Sequence, residues 1–222
     1  MIERRPIASR DSALSRTVAG WLARRGVSPN AISLVGLASG VLAGTALFAT
    51  QWASWRLAGF LAAAVFIQLR LLANMFDGMV AIEQQRTSPV GDLYNEIPDR
   101  VSDAATLIGA GYAAGGDAIL GFTAACMALL IAYIRAQGKV AGAHQEFCGP
   151  MAKQQRMFVV TIAALYAALA PASWQPRMSA AGFRSTMALA LGLIIAGGIV
   201  TVFRRLRRIA RALRNSPFQT PS

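Results

Sequence analysis

The stretch from Asn74 to Asp103, NMFDGMVAIEQQRTSPVGDLYNEIPDRVSD, decides how this chain is read. It is a polar island between two long apolar segments, Trp55–Ala81 and Ile97–Gly115. Ionisable groups at the ends of membrane helices are costly and usually functional. Their spacing here predicts convergence. Asn74, Asp77 and Ala81 share one face if the first segment is helical, and Asn95 and Asp99 share one face of the second. Two such faces turned toward each other would gather oxygen ligands suited to a hard divalent cation.

Read in order, Asn74, Asp77-Gly78, Ala81, Ile82, Gly91, Asn95 and Asp99 resemble the signature D-x2-D-G-x2-A-R-x8-G-x3-D-x3-D of the CDP-alcohol phosphatidyltransferases. Five of its eight defined positions match, namely Asp77, Gly78, Ala81, Gly91 and Asp99. Three depart: Asn74 and Asn95 stand for aspartate, and Ile82 for arginine. Pro29-Asn30-Ala31-Ile32-Ser33 is similar to the P-N-x-[IL]-[ST] run that opens the family's first span. Tyr133-Ile134-Arg135-Ala136, with Gly149, Lys153 and Arg156 after it, is similar to the family's later Y-x-R-A and basic segment. The resemblance covers roughly residues 28 to 156.

Composition points to a membrane protein without the motif. Of 222 residues, 55% are hydrophobic and 14% charged, and the mean hydropathy is +0.45. Apolar runs near Ala31–Thr50, Trp55–Ala81, Ile97–Gly115, Ala118–Gln137, Met157–Ala172 and Ser185–Phe203 predict an all-α integral membrane protein of six spans. The second run exceeds what a bilayer needs, so its far end is expected to project beyond it. Residues 11–25 predict an interfacial amphipathic helix, capped by Asp11 or Ser12, with Leu14, Val18, Trp21 and Leu22 on one side and Gly26 at its end. Residues 1–214 form one membrane domain in this reading, and 215–222 a disordered tail. The run Val18–Ala23 is too short for a signal-peptide core.

The formal charge is +12. Lys and Arg gather before residue 30, between the fourth and fifth runs, and after Phe203. The positive-inside rule then places both termini and the 82–96 loop in the cytoplasm, which suggests a bacterial inner membrane. These cations read as topology signals and contacts to anionic lipid, not as a nucleic-acid surface. Cys126 and Cys148 make no disulfide framework.

The resemblance implies transfer of a phosphatidyl group from a CDP-linked donor, usually CDP-diacylglycerol, to an alcohol acceptor, with release of CMP. It implies Mg²⁺ or Mn²⁺, one or two ions, and a homodimer. By the same resemblance Asp99 is the general base and Asp77 a metal ligand, with Asn74, Asn95 and Asp99 around the metal. Pro29, Asn30, Ser33, Gly78, Ala81 and Gly91 line the CDP site. Arg70, Arg135, Lys153 and Arg156 are candidates for binding phosphate, although Arg70 could instead pair with Asp103. The two asparagines halve the expected negative charge. One metal ion, a nearby acid such as Glu96, or a catalytically silent member that binds CDP-lipid or regulates a partner would each accommodate them. A small transporter is a third reading, weakened by the lack of an inverted repeat.

Overall fold

In the computed structural model, residues 12–84, 89–144, 146–171, 173–175 and 185–215 are described, with only the backbone given for 89–92, 94, 95 and 215. Seven α-helices account for most of them: α1 (Ala13–Arg24), α2 (Pro29–Ala49), α3 (Arg56–Glu83), α4 (Pro89–Tyr112), α5 (Ala118–Val140), α6 (Lys153–Leu169) and α7 (Thr186–Asn215). A 3₁₀ turn, Ala53–Trp55, precedes α3, and no strand occurs among the described residues.

Local chemistry sets the helix ends. Ser12 accepts the Ser15 N–H and Ser28 accepts the Ala31 N–H, so each caps the helix that follows it. Pro29 occupies the first turn of α2, where its missing N–H costs nothing. Gly26, with φ of 72°, ends α1 in the left-handed region. Asp117 caps α5 by accepting the Leu120 N–H.

Each of the six apolar runs is helical. Four helices are long and apolar enough to cross a membrane: α2, α3 with its 3₁₀ turn, α5 and α7. The two others are set apart for different reasons. α6 has only 17 residues and begins with the charged Lys153. α4 carries Glu96, Asp99, Arg100 and Asp103 in its middle turns. It also starts at Pro89, eight residues before the apolar run, and continues through Pro98 without a break.

Small residues let these helices approach closely. A Cβ on Gly44 would strike the carbonyl of Ala105, and one on Gly109 would strike the Gly44 backbone, so α2 and α4 cross backbone to backbone. The main core lies among α2 to α7 and includes Leu47, Phe60, Ile67, Leu107, Met157 and Leu191. A second cluster, Ala19, Ile32, Ala73 and Val80, seats α1 against α2 and α3. Leu14 and Trp21 of α1 stay exposed, with Arg25 stacked over the Trp21 ring. On α7, Gly197 and Gly198 pack against Met151 and Met127 of the same chain, while nothing lies within 4 Å of a Cβ placed on Gly192. Cys126 and Cys148 are free thiols, and burial raises the Cys148 pKa.

Candidate functional site

The polar groups collect where the end of α3 meets the first half of α4, the end of α5 and the start of α6. α3 supplies Arg70, Asn74, Asp77 and Ala81, spaced four, three and four residues apart and so aligned along one face. α4 supplies Asp99, Ser102 and Asp103. Two clusters result, one above the other.

The upper cluster is partly open. Asn74 Nδ2 donates to Asp99 Oδ2 at 3.2 Å, which joins the facing surfaces of α3 and α4. Lys153 Nζ lies 2.5 Å from that same carboxylate oxygen and also donates to Asn74 Oδ1. Among the described residues Asp99 Oδ1 has the long approach of Arg70 Nη2, at 3.8 Å, and Arg100 Nη2 stands 3.8 Å from Oδ2. Asp77, one turn along α3 from Asn74, is buried and accepts the Ser33 hydroxyl of α2 at 2.9 Å. Its other oxygen accepts the Gly78 N–H.

The lower cluster is sealed. Asp103 sits between two arginines, with Arg70 Nη2 at 2.5 Å on Oδ1 and Arg156 Nη2 at 2.7 Å on Oδ2. Arg70 also donates from Nε to Ser102 Oγ and from Nη2 to the Asp99 carbonyl. Arg156 Nη1 donates to the Met151 carbonyl. All three ions are almost wholly buried, which a membrane interior tolerates only when charges are paired in this way.

Glu96 is joined to the upper cluster only through Arg100, whose Nη2 lies 3.1 Å from Glu96 Oε2 and 3.8 Å from Asp99 Oδ2. Its carboxylate is held by Arg135 of α5 and by Arg100 one turn along α4. Arg135 also stacks over Phe147. Thus all four candidate phosphate-binding cations, Arg70, Arg135, Lys153 and Arg156, have carboxylate partners.

The remaining predicted positions can be placed as follows. Gly78 and Ala81 are buried on the same stretch of α3 as Asp77, and Ile82 points outward, 61% exposed. Ser33 is buried, Pro29 is half-buried and Asn30 is exposed at the start of α2. Gly91 and Asn95 lie on the backbone of α4, and the Asn95 side chain falls outside the described residues. His144 is exposed in the α5–α6 loop.

Three features were missed in the sequence. The hold of Ser33 on Asp77 crosses from α2 to α3, 44 residues apart, and nothing local signals it. Ser102, three residues after Asp99, was detectable as a neighbour on the same helix face. Arg205, read as a topology charge, is buried and donates to the carbonyls of Cys148 and Ile131.

Among the described residues, no three or more His, Cys, Asp or Glu side chains are placed to hold a metal ion. A cation here would depend on two carboxylates, Asp77 and Asp99, supplemented by amide oxygen. All these donors are oxygens, a set that fits a hard divalent ion of the Mg²⁺ or Mn²⁺ kind and disfavours soft metals.

No family model matches the chain. It is similar to the archaetidylinositol phosphate synthase of Aeropyrum pernix, 31% identical over 153 residues, covering 68% of this chain and 73% of that protein. It is similar to the phosphatidylinositol phosphate synthase of Streptomyces avermitilis, 29% identical over 199 residues, covering 87% of this chain and 76% of that protein. Among solved structures it resembles the Mycobacterium tuberculosis phosphatidylinositol phosphate synthase with CDP-DAG bound. The TM-score is 0.71 at 19% identity, over 95% of this chain and 98% of that one. The same enzyme in complex with manganese and citrate gives a TM-score of 0.69, also at 19% identity, over 93% and 92%.

Proposed function

The chain belongs to the CDP-alcohol phosphatidyltransferase family, and we propose that it moves a phosphatidyl group from CDP-diacylglycerol to a phosphorylated alcohol of the inositol phosphate class. It is a phosphatidyltransferase of phospholipid synthesis and an integral membrane protein. The observation that carries the reading is the meeting of α3 and α4 through Asn74 and Asp99, with Asp77 one turn away on a buried face.

The acceptor hydroxyl attacks the phosphorus that carries diacylglycerol. The bond from that phosphorus to the bridging pyrophosphate oxygen breaks, and CMP leaves with the electron pair. The hydroxyl proton passes to Asp99. Oδ1 is the oxygen suited to receive it, because Oδ2 already accepts from Lys153 and Asn74. Asp77 and Asp99 are the residues that would hold a divalent ion, Mg²⁺ or Mn²⁺, with Asn74, whose Oδ1 also accepts from Lys153, beside them. When bound, such an ion draws negative charge from the pyrophosphate oxygens. By the family resemblance, the small residues Gly78 and Ala81 of α3, with Gly91, Pro29, Asn30 and Ser33, are the positions that would receive cytidine and pyrophosphate.

The acceptor phosphate would meet Arg135. Glu96, its partner, is half exposed, so phosphate can replace that carboxylate at little cost. Arg70 and Arg156 are locked onto Asp103 and serve the fold.

Six membrane spans complete this reading, α4 and α6 crossing inside the bundle among the four apolar helices. Residues 1–214 act as one domain, with α1 lying in the interface and both termini and the site in the cytoplasm. A homodimer is expected from the family, its contact using outward faces such as that around Gly192, since Gly197 and Gly198 are filled within the chain. Reporter fusions at Gly116 and at the C-terminus should fall on opposite sides of the membrane. The same side would overturn the topology.

Purified protein with Mn²⁺ or Mg²⁺ should release CMP from CDP-diacylglycerol when given inositol phosphate, and far less with unphosphorylated inositol or glycerol. Equal rates with all three would overturn the acceptor class. No CMP with any alcohol across a wide panel would overturn the transferase reading for this chain.

A further inference from the structure

Lys153 is the group the transfer reaction leaves unexplained. It is not a loosely placed surface lysine. Its side chain is only 14% exposed, and the segment before it is pinned. Gly149, with φ of 119°, packs against Thr201, the Met151 N–H donates to Thr201 Oγ1 at 3.0 Å, and the Met151 carbonyl accepts Arg156. This anchoring delivers the ammonium to Asp99.

The contacts there form a closed ring. Lys153 donates to Asn74 Oδ1 and pairs with Asp99 Oδ2, and Asn74 Nδ2 donates to the same Asp99 oxygen. The ring works with an amide at position 74. A carboxylate there would accept from Lys153 but could not donate to Asp99. The neutral residue at 74 and the cation at 153 are two halves of one arrangement.

Charge balance points the same way. Three acids, Asp77, Asp99 and Asp103, stand with three bases, Arg70, Lys153 and Arg156, and Arg100, 3.8 Å from Asp99 Oδ2, is offset by Glu96 at 3.1 Å, so these groups sum to zero. The pyrophosphate of a CDP-linked donor brings two negative charges. One divalent ion balances it. Before the acceptor phosphate arrives, a second would leave two positive charges uncompensated at the edge of a low-dielectric region, which is costly.

We propose that Lys153 is a built-in cation of the catalytic centre, holding on Asp99 the place of a second metal ion, so that the centre takes one divalent ion. This deepens the phosphatidyltransferase reading and rests on it. The lysine supplies a fixed positive charge, and the one N–H the ring leaves over can face the donor phosphates.

The test counts Mn²⁺ ions on the full chain in nanodiscs, by equilibrium dialysis and electron paramagnetic resonance. The wild type should bind one ion with a mononuclear spectrum, and Asn74→Asp should also bind one. Asn74→Asp with Lys153→Met adds one negative charge and removes one positive charge, the complement of one divalent ion. It should bind two ions with dipolar coupling. Replacing Met by Arg in that double variant should restore a single ion. Lys153→Met alone should bind its one ion about tenfold more tightly, since a repelling charge is gone. Two ions, or none, on the wild type would overturn the proposal. So would an unchanged count in the folded Asn74→Asp/Lys153→Met variant. If that variant does not elute as folded protein, an unchanged Mn²⁺ affinity in Lys153→Met overturns it instead. CMP release is assayed separately, and its absence would count against the transferase reading and not against the ion count.

Discussion

One turn of α4 separates Asp99 from Asp103, and the two carboxylates live in different worlds. Asp103 is 1% exposed, gripped on both oxygens by arginines from α3 and α6. Asp99 is 15% exposed, with one oxygen engaged by Lys153 and Asn74 and the other nearly free. The residue type and helix face are the same. What differs is depth and how closely each oxygen is held. A carboxylate saturated by two buried guanidiniums cannot accept a proton or a metal without breaking the bundle. A carboxylate with one free oxygen at the mouth of the site can do either. The chain thus uses one turn of helix to separate a structural lock from reaction chemistry.

The largest effects should come from the upper cluster and should appear in rate. Asp99→Asn is expected to lower CMP release about 10²–10⁴-fold while the detergent-solubilised protein keeps its melting temperature. Asp77→Ala should do likewise. If both retained full activity, the division drawn between the clusters would be wrong. Asp103→Asn should behave in the opposite way. It takes the charged partner from buried Arg156 and leaves Arg70 only the 3.8 Å approach to Asp99, a change that typically costs about 3–5 kcal/mol of stability. Thermal unfolding should therefore drop sharply. An Asp103→Asn protein that melts like wild type but releases no CMP would move Asp103 into the reaction and merge the two clusters. Ser33→Ala should give an intermediate result. It removes the hydroxyl that Asp77 accepts, a hydrogen bond to a charged group worth about 1.5–3 kcal/mol. The expected loss is about tenfold or more in Mn²⁺ affinity, read by the same titration, with little change in melting.

The face shared by Arg70, Asn74, Asp77 and Ala81 was legible in the sequence, because helical spacing alone aligns them. The helical positions of all six apolar runs were legible for a similar reason. Apolar length is a one-dimensional signal. The extent of α4 was not. Its first turns are polar, so hydropathy hid them, and the helix runs on through Pro98. The lower cluster was half visible: Arg70 needed a partner and Asp103 was a candidate, but the second grip by Arg156 depends on how α6 docks. Lys153 on Asp99 was invisible for the same reason. Those residues are 54 positions apart, and only tertiary packing brings them together. Glu96 was singled out by adjacency, which does not show its partners. It neighbours Asn95 in sequence, yet a step of one residue turns a helical side chain by about 100°, which carries it toward Arg135 and Arg100.

The smallest stability effect should come from that Glu96 pair, and it sharpens the comparison at the outer edge. Glu96 is half exposed, so its pairing with Arg135 gains little over water, about 0–1 kcal/mol. Glu96→Gln should leave the melting temperature nearly unchanged. The reaction should still respond. Arg135 released from its carboxylate meets an acceptor phosphate without competition, so KM for inositol phosphate should fall a few-fold while kcat holds. Arg135→Gln should raise that KM and should not alter the residual rate with an unphosphorylated alcohol. The opposite pattern, a large melting shift with an unchanged KM, would place Glu96–Arg135 with the structural lock below it. Exposure separates the two cases physically. A pair that water can reach is exchanged easily for a substrate phosphate, whereas one sealed like Asp103 is held by the cost of unpairing a buried charge.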